Sequence, residues 1–207
     1  MDGGLVVEHG TLAELVDLLG RNAKYRRTKG PNALSRWWLD RRLQANARRA
    51  SRRNVAHHYD LSSAFYRRFL GEDLQYSCAY FSRPDVGLEA AQSAKKEHLA
   101  AKLLLRPGQS VLDIGCGRGG LALTLAEMAD VSVDGVTLST EQLAVATERA
   151  RQRGLTPRFR FSLTDYRDAE GPYDRIVSVG MFEHVGRPNF ATYFQQIARL
   201  LDEDGVR

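Results

Sequence analysis

The chain has 207 residues, of which 43% are hydrophobic and 27% charged, the composition of an ordinary globular protein with one domain or one domain and an appendage. No apolar run approaches the roughly 20 residues that span a bilayer, and residues 1–5 lack the features of a signal peptide. Two cysteines, Cys78 and Cys116, provide neither a disulfide framework nor a metal-binding spacing. We therefore expect a reduced, cytoplasmic protein with no metal site.

The net charge of +5 is concentrated near the N-terminus. Between Arg21 and Arg68, which we call the basic segment, fourteen Lys and Arg residues face only Asp40 and Asp60. Such a segment suits anionic phospholipid headgroups or nucleic acid, and a solvated helix face is the alternative. Because no glycine-rich or aromatic RNA-binding signature is interleaved with it, we expect a membrane surface and no nucleic acid.

Two helices are predicted within residues 1–53, a basic helical N-terminal region. The first begins at Thr11, whose spacing from Glu14 is that of a capping box, and ends at Gly20. The second covers about residues 33–49 and carries Trp37 and Trp38 among arginines. Tryptophan beside arginine on a helix is typical of a membrane interface, and equally of packing on a neighbouring domain; both interpretations stay open.

Residues 54–109 are predicted as a helical lid or substrate-side segment. A short helix, capped by Asp60 or Ser62, extends to Leu70, and an aromatic-rich loop covers residues 75–81. Adjacent His57 and His58 point apart in a helix or strand, so they do not chelate one metal together. A longer helix from about residue 88 to 105 ends at the following proline and glycine.

From Ser110 onward strands alternate with helices, which indicates an α/β fold with a parallel sheet covered by helices on both faces. Residues 110–207 are predicted as a truncated core with only the first four strands, the last of them with an unpaired edge. Residues 204–207 are expected to lie in the turn that precedes a fifth strand. The predicted strands cover residues 110–114, 131–137, 159–163 and 175–179, and the predicted helices follow the glycine turn at 115–120 and cover residues 139–153 and 190–201.

The first strand ends in a turn with glycines at alternate positions, Gly115, Gly117 and Gly119, followed at once by an apolar helix. Glycine lets a ligand approach the backbone, and a helix N-terminus offers free N–H groups, so a nucleotide-like ligand is expected there. A bare strand–helix turn is the alternative. A generic spacing rule for dinucleotide sites points to Asp134, which however lies inside the predicted second strand rather than at its end.

Several stretches together resemble the cyclopropane-fatty-acyl-phospholipid synthases and the related mycolic acid cyclopropane synthases, over residues from about 54 to the end. This family consists of S-adenosylmethionine-dependent enzymes on the Rossmann-like methyltransferase fold. The stretches are residues 76–81 (YSCAYF), 111–120 (VLDIGCGRGG), 135–139 (GVTLS), 165–168 (DYRD) and 174–186 (DRIVSVGMFEHVG).

The resemblance implies a site for S-adenosylmethionine. Its methionine part would lie under Tyr76 and Ser77, its amino group near Asp113, and its adenine beside Asp165 and Tyr166. Gln142 has the alternative role of capping the following helix. Tyr166 has the alternative role of packing in the core. The implied cofactor-binding residues are Tyr76, Ser77, Asp113, Gly115, Gly117, Gly119, Thr137, Gln142, Asp165 and Tyr166.

The resemblance also implies the chemistry: methyl transfer to a cis double bond of an unsaturated acyl chain, then loss of a proton to close a cyclopropane ring. Bicarbonate would act as the base, in contact with the catalytic positions Cys78 and Glu183. Without the resemblance, Cys78 could equally be a buried small apolar residue. Glu183 could equally be a carboxylate that stabilises a helix N-terminus.

Arg118 stands where this family usually has tryptophan. A cation beside a sulfonium is unfavourable, although the long side chain can turn outward to solvent. We expect a peripheral enzyme at the inner membrane face that acts on phospholipid acyl chains, with a homodimer left open and no turnover by the 207 residues alone. The alternatives are a C-methyltransferase of fatty acyl or other small-molecule substrates, and a truncated, inactive relative.

Overall fold

A computed structural model describes residues 9–26 and 63–206. By its backbone contacts the chain divides into two units, residues 1–43 and 44–207. The predicted helix with Trp37 and Trp38, the His57–His58 pair and most of the basic segment lie outside the described residues. Within the described residues, no helix is both long enough and apolar enough to cross a membrane.

The first unit contains helix α1, Leu12–Arg26. It begins as predicted: the Thr11 hydroxyl accepts from the Glu14 N–H at 3.3 Å, and the Glu14 carboxylate accepts from the Thr11 N–H at 2.6 Å. The predicted end at Gly20 is wrong. A glycine inside a helix costs only about 1 kcal/mol, and the i,i+4 ion pair of Asp17 with Arg21 spans this position.

The second unit alternates strands and helices. In chain order its elements are α2 (Ser63–Tyr66), α3 (Leu88–Leu103), β1 (Ser110–Ile114), α4 (Gly120–Met128), β2 (Ser132–Thr137), α5 (Thr140–Gln152), β3 (Phe159–Leu163), β4 (Tyr173–Val177), α6 (Phe190–Leu200) and β5 (Leu201–Val206). The predicted helix through Leu70 is wrong beyond Tyr66, and the aromatic-rich loop at residues 75–81 is confirmed.

All five strands are parallel, in the order β3-β2-β1-β4-β5. The α/β class with a parallel sheet is therefore confirmed, and β1 and β3 have the predicted bounds. Strand β4 lies two residues earlier than predicted, because its pairing with β1 ends at Asp113 and Val177. Ser178 and Val179 therefore belong to the loop that follows.

The four-strand expectation is wrong: Leu201–Val206 forms β5 on the far side of β4. Its run of Asp and Gly favours a turn by composition, but the free edge of β4 offers backbone hydrogen bonds that override this local preference. The pairing is irregular, since Tyr173 lies opposite Leu201 and Arg175 opposite Val206. The predicted unpaired edge of β4 therefore does not exist.

The sheet has an apolar core on each face because alternate residues of a strand point to opposite sides. Leu112 and Ile114 belong to the core that α6 covers, together with Ile197 and Leu200. Val111 belongs to the core on the other face, which α3 and α4 cover with residues such as Leu103 and Leu125. Helices on both faces leave the carboxyl ends of the strands as the open edge of the layer.

Candidate cofactor and active site

A cavity of about 890 Å³ lies at the carboxyl ends of the strands. The chain runs outward from β1 through β2 to β3 and then returns to the other side of β1 with β4, so β1 and β4 border the point where strand order reverses. Crevices at such points are the usual ligand sites of open α/β sheets. The segments that line this cavity follow β1, β2, β3 and β4, and a loop and helix α3 close one side.

The structure brings nearly all the predicted site residues to this cavity. Of the twelve, the eleven that line it are Tyr76, Ser77, Cys78, Asp113, Gly115, Gly117, Thr137, Gln142, Asp165, Tyr166 and Glu183. Gly119 is the exception. A Cβ on Gly119 would lie 3.0 Å from the Ala146 Cβ and 3.1 Å from the Phe161 ring, so this glycine allows α4 to pack closely against its neighbours.

Gly117 has a different environment. Its φ of +55° is in the left-handed region, and a Cβ built on it would meet no atom within 4 Å. The space beside Gly117 therefore opens into the cavity, where a ligand can approach the backbone.

Asp113 is a buried carboxylate, and one of its oxygens lacks a hydrogen-bond partner among the described residues. It is 2% exposed, and its Oδ2 has no hydrogen-bond partner among the described residues. Burial alone raises the pKa of Asp113 to about 7, since the charged form is penalised away from water. An anion in this state favours a cationic ligand group in the cavity.

Thr137 and Gln142 form one polar wall. The Thr137 hydroxyl donates to Gln142 Oε1 at 2.8 Å, and both side chains are buried. Ser139 caps α5 by accepting from the Gln142 backbone N–H at 3.2 Å. The capping alternative thus applies to the backbone of Gln142, while its side chain reaches toward Thr137 and the cavity.

Asp165 and Tyr166 line the far end. The Asp165 carboxylate accepts from the Arg167 backbone N–H at 3.0 Å and forms an ion pair with the Arg167 guanidinium at 2.6 Å. Tyr166 is buried in the core, with its ring 5.3 Å from that of Tyr193. The packing role of Tyr166 and its position on the cavity wall therefore coexist.

Helix α3 holds the loop that carries Tyr76, Ser77 and Cys78. Gln92 Nε2 donates to the Ser77 carbonyl at 3.1 Å, and Lys95 Nζ donates to the Ser77 hydroxyl at 2.9 Å. Both Gln92 and Lys95 are buried on α3. This loop is thus fixed by polar side chains that project from one face of a helix.

The two predicted catalytic residues come from opposite sides of the cavity. Cys78 is exposed, so its interpretation as a buried small apolar residue is wrong. Glu183 lies in a single 3-10 turn, Phe182–His184, after β4. A Cβ on Gly180 would lie 3.5 Å from the Ser77 Cβ and 3.8 Å from Glu183 Oε1, which brings the loop of Cys78 and the Glu183 carboxylate to the same place.

Arg118 does not take the outward orientation that its long side chain would allow. Its side chain is 2% exposed and forms an ion pair with Glu141 at 3.1 Å. The guanidinium lies over the Tyr66 ring, 4.2 Å from its centroid, and the Tyr66 ring is 5.6 Å from that of Tyr76. The charge that sequence reasoning expected to be unfavourable in the cavity wall is therefore compensated by Glu141.

Asp134 takes no part in the cavity. Its carboxylate pairs with Arg160 and accepts from the Tyr173 hydroxyl at 2.7 Å. The spacing rule for dinucleotide sites thus points to a residue that ties β2 to β3 and β4. Among the described residues, no group of three or more His, Cys, Asp and Glu side chains is placed to hold a metal ion.

Sequence reasoning missed Lys95 and Arg167, which also line the cavity. Lys95 had a detectable signal: it lies four residues after Ala91 and four before Leu99, in the apolar stripe of the predicted helix. A charged residue in such a stripe is either paired or functional. For Arg167 the sequence offered no comparable signal beyond its place in the DYRD stretch.

Comparison with known proteins agrees with this geometry. Residues 46–207 match the family model described as mycolic acid cyclopropane synthetase. The chain belongs to this family. The match covers all the predicted site residues, and the Rossmann-like fold of the methyltransferases is that of the second unit.

Two curated relatives and one solved structure indicate the range of this family. A probable fatty acid methyltransferase of Pseudomonas putida is 45% identical over 81% of this chain and 41% of its own length. The cyclopropane-fatty-acyl-phospholipid synthase of Escherichia coli K12 is 50% identical over 72% of this chain and 38% of its own. The chain therefore spans less than half the length of these relatives.

A crystal structure of a mycolic acid cyclopropane synthase complexed with SAH and CTAB superposes with a TM-score of 0.72. The two sequences are 41% identical, and the matched region covers 74% of this chain and 54% of the synthase chain.

Proposed function

We propose that this protein transfers a methylene group from S-adenosylmethionine to the cis double bond of an unsaturated acyl chain in a membrane phospholipid. The observation that carries the proposal is the cavity at the ends of β1 and β4, lined by eleven of the residues that the family resemblance assigns to cofactor and catalysis. The relative from Escherichia coli, named for this activity, is 50% identical over the matched region.

The residues of the cavity fit the cofactor. The open space beside Gly117 accommodates a group against the backbone, and the unpartnered Asp113 carboxylate suits an ammonium group. Thr137, Gln142, Asp165 and Tyr166 supply polar and aromatic surface for the nucleoside. When bound, S-adenosylmethionine supplies an electrophilic methyl group with a neutral leaving group, which a poorly nucleophilic alkene requires.

In this proposal Cys78 and Glu183 would hold bicarbonate, which would supply a base for the proton that is lost as the ring closes. Ser77, the residue before Cys78, and the Glu183 carboxylate both lie within 4 Å of the Cβ position of Gly180, which supports the pairing. The acyl chain has to lie in a region with little water, because water would trap the cationic carbon. Residues 54–109 form the substrate-side segment, and the basic segment places the protein on anionic lipid.

A C-methyltransferase of fatty acyl chains is the second candidate. The relative from Pseudomonas putida, 45% identical, is named a probable fatty acid methyltransferase. The two activities share the cofactor site and differ in the product, a methyl branch or a cyclopropane ring.

The cofactor part of the proposal is tested by calorimetry with S-adenosylhomocysteine. We expect binding to the wild-type chain and its loss in Gly117→Val, because the new side chain fills the space beside the turn. Gly154→Val is the matched control, since Gly154 has a φ of +66° and an open Cβ position but does not line the cavity. Equal binding by Gly117→Val and Gly154→Val would contradict this placement.

Turnover is tested separately, because the chain spans less than half the length of its relatives. The chain is incubated with S-adenosylmethionine and vesicles of unsaturated phospholipid, and the lipids are analysed by mass spectrometry. A gain of one carbon supports the proposed reaction, and ozonolysis distinguishes a cyclopropane ring from a methyl-branched alkene. No gain in a chain that binds S-adenosylhomocysteine would agree with the expectation of no turnover by the 207 residues alone, and would contradict the proposed reaction for this chain in favour of an inactive relative.

A further inference from the structure

Lys95 is a buried cation on the wall of the cavity, and neither the predicted site nor the proposed mechanism uses it. The residue is 8% exposed and lies in the middle of α3. Its Nζ donates to Gln75 Oε1 and to the Ser77 hydroxyl, both at 2.9 Å. An ammonium group has three N–H donors, so one remains for another acceptor.

The other two long cations of the cavity wall are neutralised. Arg118 is paired with Glu141 at 3.1 Å, and Arg167 with Asp165 at 2.6 Å. Lys95 has no carboxylate within ion-pairing distance among the described residues. The cavity therefore contains one buried cation whose hydrogen-bond partners are both neutral.

Three other groups act on Lys95 electrostatically: Asp73, Lys96 and the Cys78 thiol. The Asp73 carboxylate is itself bonded to Lys96, at 2.8 Å, and to Arg149. Because desolvation outweighs these charges, the pKa of Lys95 falls to about 8. A buried ammonium without a counter-charge is costly, and an anion in the cavity would remove that cost.

We propose that Lys95 binds a carboxylate in the cavity, namely the α-carboxylate at the amino-acid end of S-adenosylmethionine. The inference rests on the proposed function and adds to it a residue that the resemblance does not supply. It also fits the buried charges of the cavity: Lys95 and Asp113 are a buried cation and a buried acid without charged partners among the described residues, and the amino-acid end of the cofactor carries one carboxylate and one ammonium group.

Bicarbonate offers the same carboxylate chemistry, so the test separates the two sources. Binding of S-adenosylhomocysteine and of 5′-methylthioadenosine, which lacks the amino-acid end, is measured by calorimetry at pH 7, with and without added bicarbonate. The variants are Lys95→Met, which keeps the length of the side chain, and Lys95→Arg, which keeps the charge. Lys102→Met, at an exposed position of the same helix, is the matched control.

We expect Lys95→Met to weaken S-adenosylhomocysteine binding by about 10- to 100-fold, the usual effect of losing a hydrogen bond to a charged group. Binding of 5′-methylthioadenosine is expected to be unchanged, Lys95→Arg to restore part of the loss, and Lys102→Met to behave as wild type. A loss for both ligands that appears only with bicarbonate would also support a carboxylate site, and would assign bicarbonate as its occupant.

An equal loss for both ligands in the absence of bicarbonate would overturn the inference, because it would mean that Lys95 only holds the Ser77 loop. No loss for either ligand would overturn it as well. Both outcomes leave the proposed function intact as long as the wild-type chain binds S-adenosylhomocysteine. If the wild type binds neither ligand, the proposed function fails and the inference fails with it.

Discussion

At the scale of single residues, Asp113 couples the folding of the chain to pH. Its carboxyl is fully removed from water at the end of β1, and no described group compensates a charge there. Its pKa of about 7 lies well above that of an exposed aspartate, so the unfolded chain releases this proton at lower pH than the folded one. Asp113 therefore opposes folding increasingly as the pH rises from about 4 to 7.

We expect Asp113→Asn to abolish this contribution. Between pH 4.5 and 8, the free energy of unfolding of the variant should rise by about 3 kcal/mol relative to the wild type, since each unit of pKa shift corresponds to about 1.4 kcal/mol. Urea unfolding of both proteins across that range measures the difference. Asp85→Asn, which removes an exposed carboxylate, controls for the loss of one charge. Wild-type and Asp113→Asn curves that stay parallel would contradict the assignment.

At the scale of elements, Arg118 connects three parts of the second unit. It belongs to the glycine turn before α4, pairs with Glu141 in the first turn of α5, and lies over the ring of Tyr66 in α2. The Tyr66 ring in turn contacts that of Tyr76 in the cavity loop. This chain of contacts places α2 and the loop against the cofactor cavity.

We expect Arg118→Met to lower the free energy of unfolding by about 3 kcal/mol, because a buried ion pair is broken from one side. It should also speed hydrogen exchange of residues 63–76 more than that of β1 and β2. Mass spectrometry of exchanged peptides measures this. Arg83→Met breaks the exposed pair with Asp85 and serves as control, with an expected effect below 1 kcal/mol. Uniform acceleration in all peptides would argue against a local connection.

At the scale of the whole molecule, the uneven charge is the main feature. The basic segment from Arg21 to Arg68 carries fourteen of the 30 Lys and Arg residues. A surface of anionic lipid attracts each basic side chain near it by about 1 kcal/mol, and salt screens the attraction within about 10 Å. Under the proposed function, this attraction would bring the protein to the surface that contains its substrate.

We expect the chain to sediment with phosphatidylglycerol vesicles and not with phosphatidylcholine vesicles, and to be released as the salt concentration rises. The double substitution Arg41→Glu and Arg42→Glu should weaken binding to anionic vesicles strongly. The matched control is Lys102→Glu with Arg106→Glu, an equal charge change at exposed positions outside the basic segment. Equal sedimentation with both lipids would favour a solvated helix face.

The sequence by itself determined the elements around the cavity. The apolar run Ser110–Ile114, the glycines after it and the cap at Ser139 are local patterns, and each fixes its own backbone through side-chain period, positive φ or a short-range hydrogen bond. Because parallel strands all end at one edge, knowing the strands also predicted that the residues after them meet there. The placement of Asp113, Gly117, Thr137 and Glu183 in one cavity follows from this.

Only the tertiary structure determined which strand edges pair and which buried charges are compensated. Leu201–Val206 has the composition of a turn, and it becomes a strand because the edge of β4 lies beside it. Arg118 is buried because Glu141 and Tyr66, distant in sequence, compensate its charge, whereas Lys95 has only neutral hydrogen-bond partners. Local patterns cannot specify such features, since the free energy of a pairing or of a buried charge depends on groups that only folding brings together.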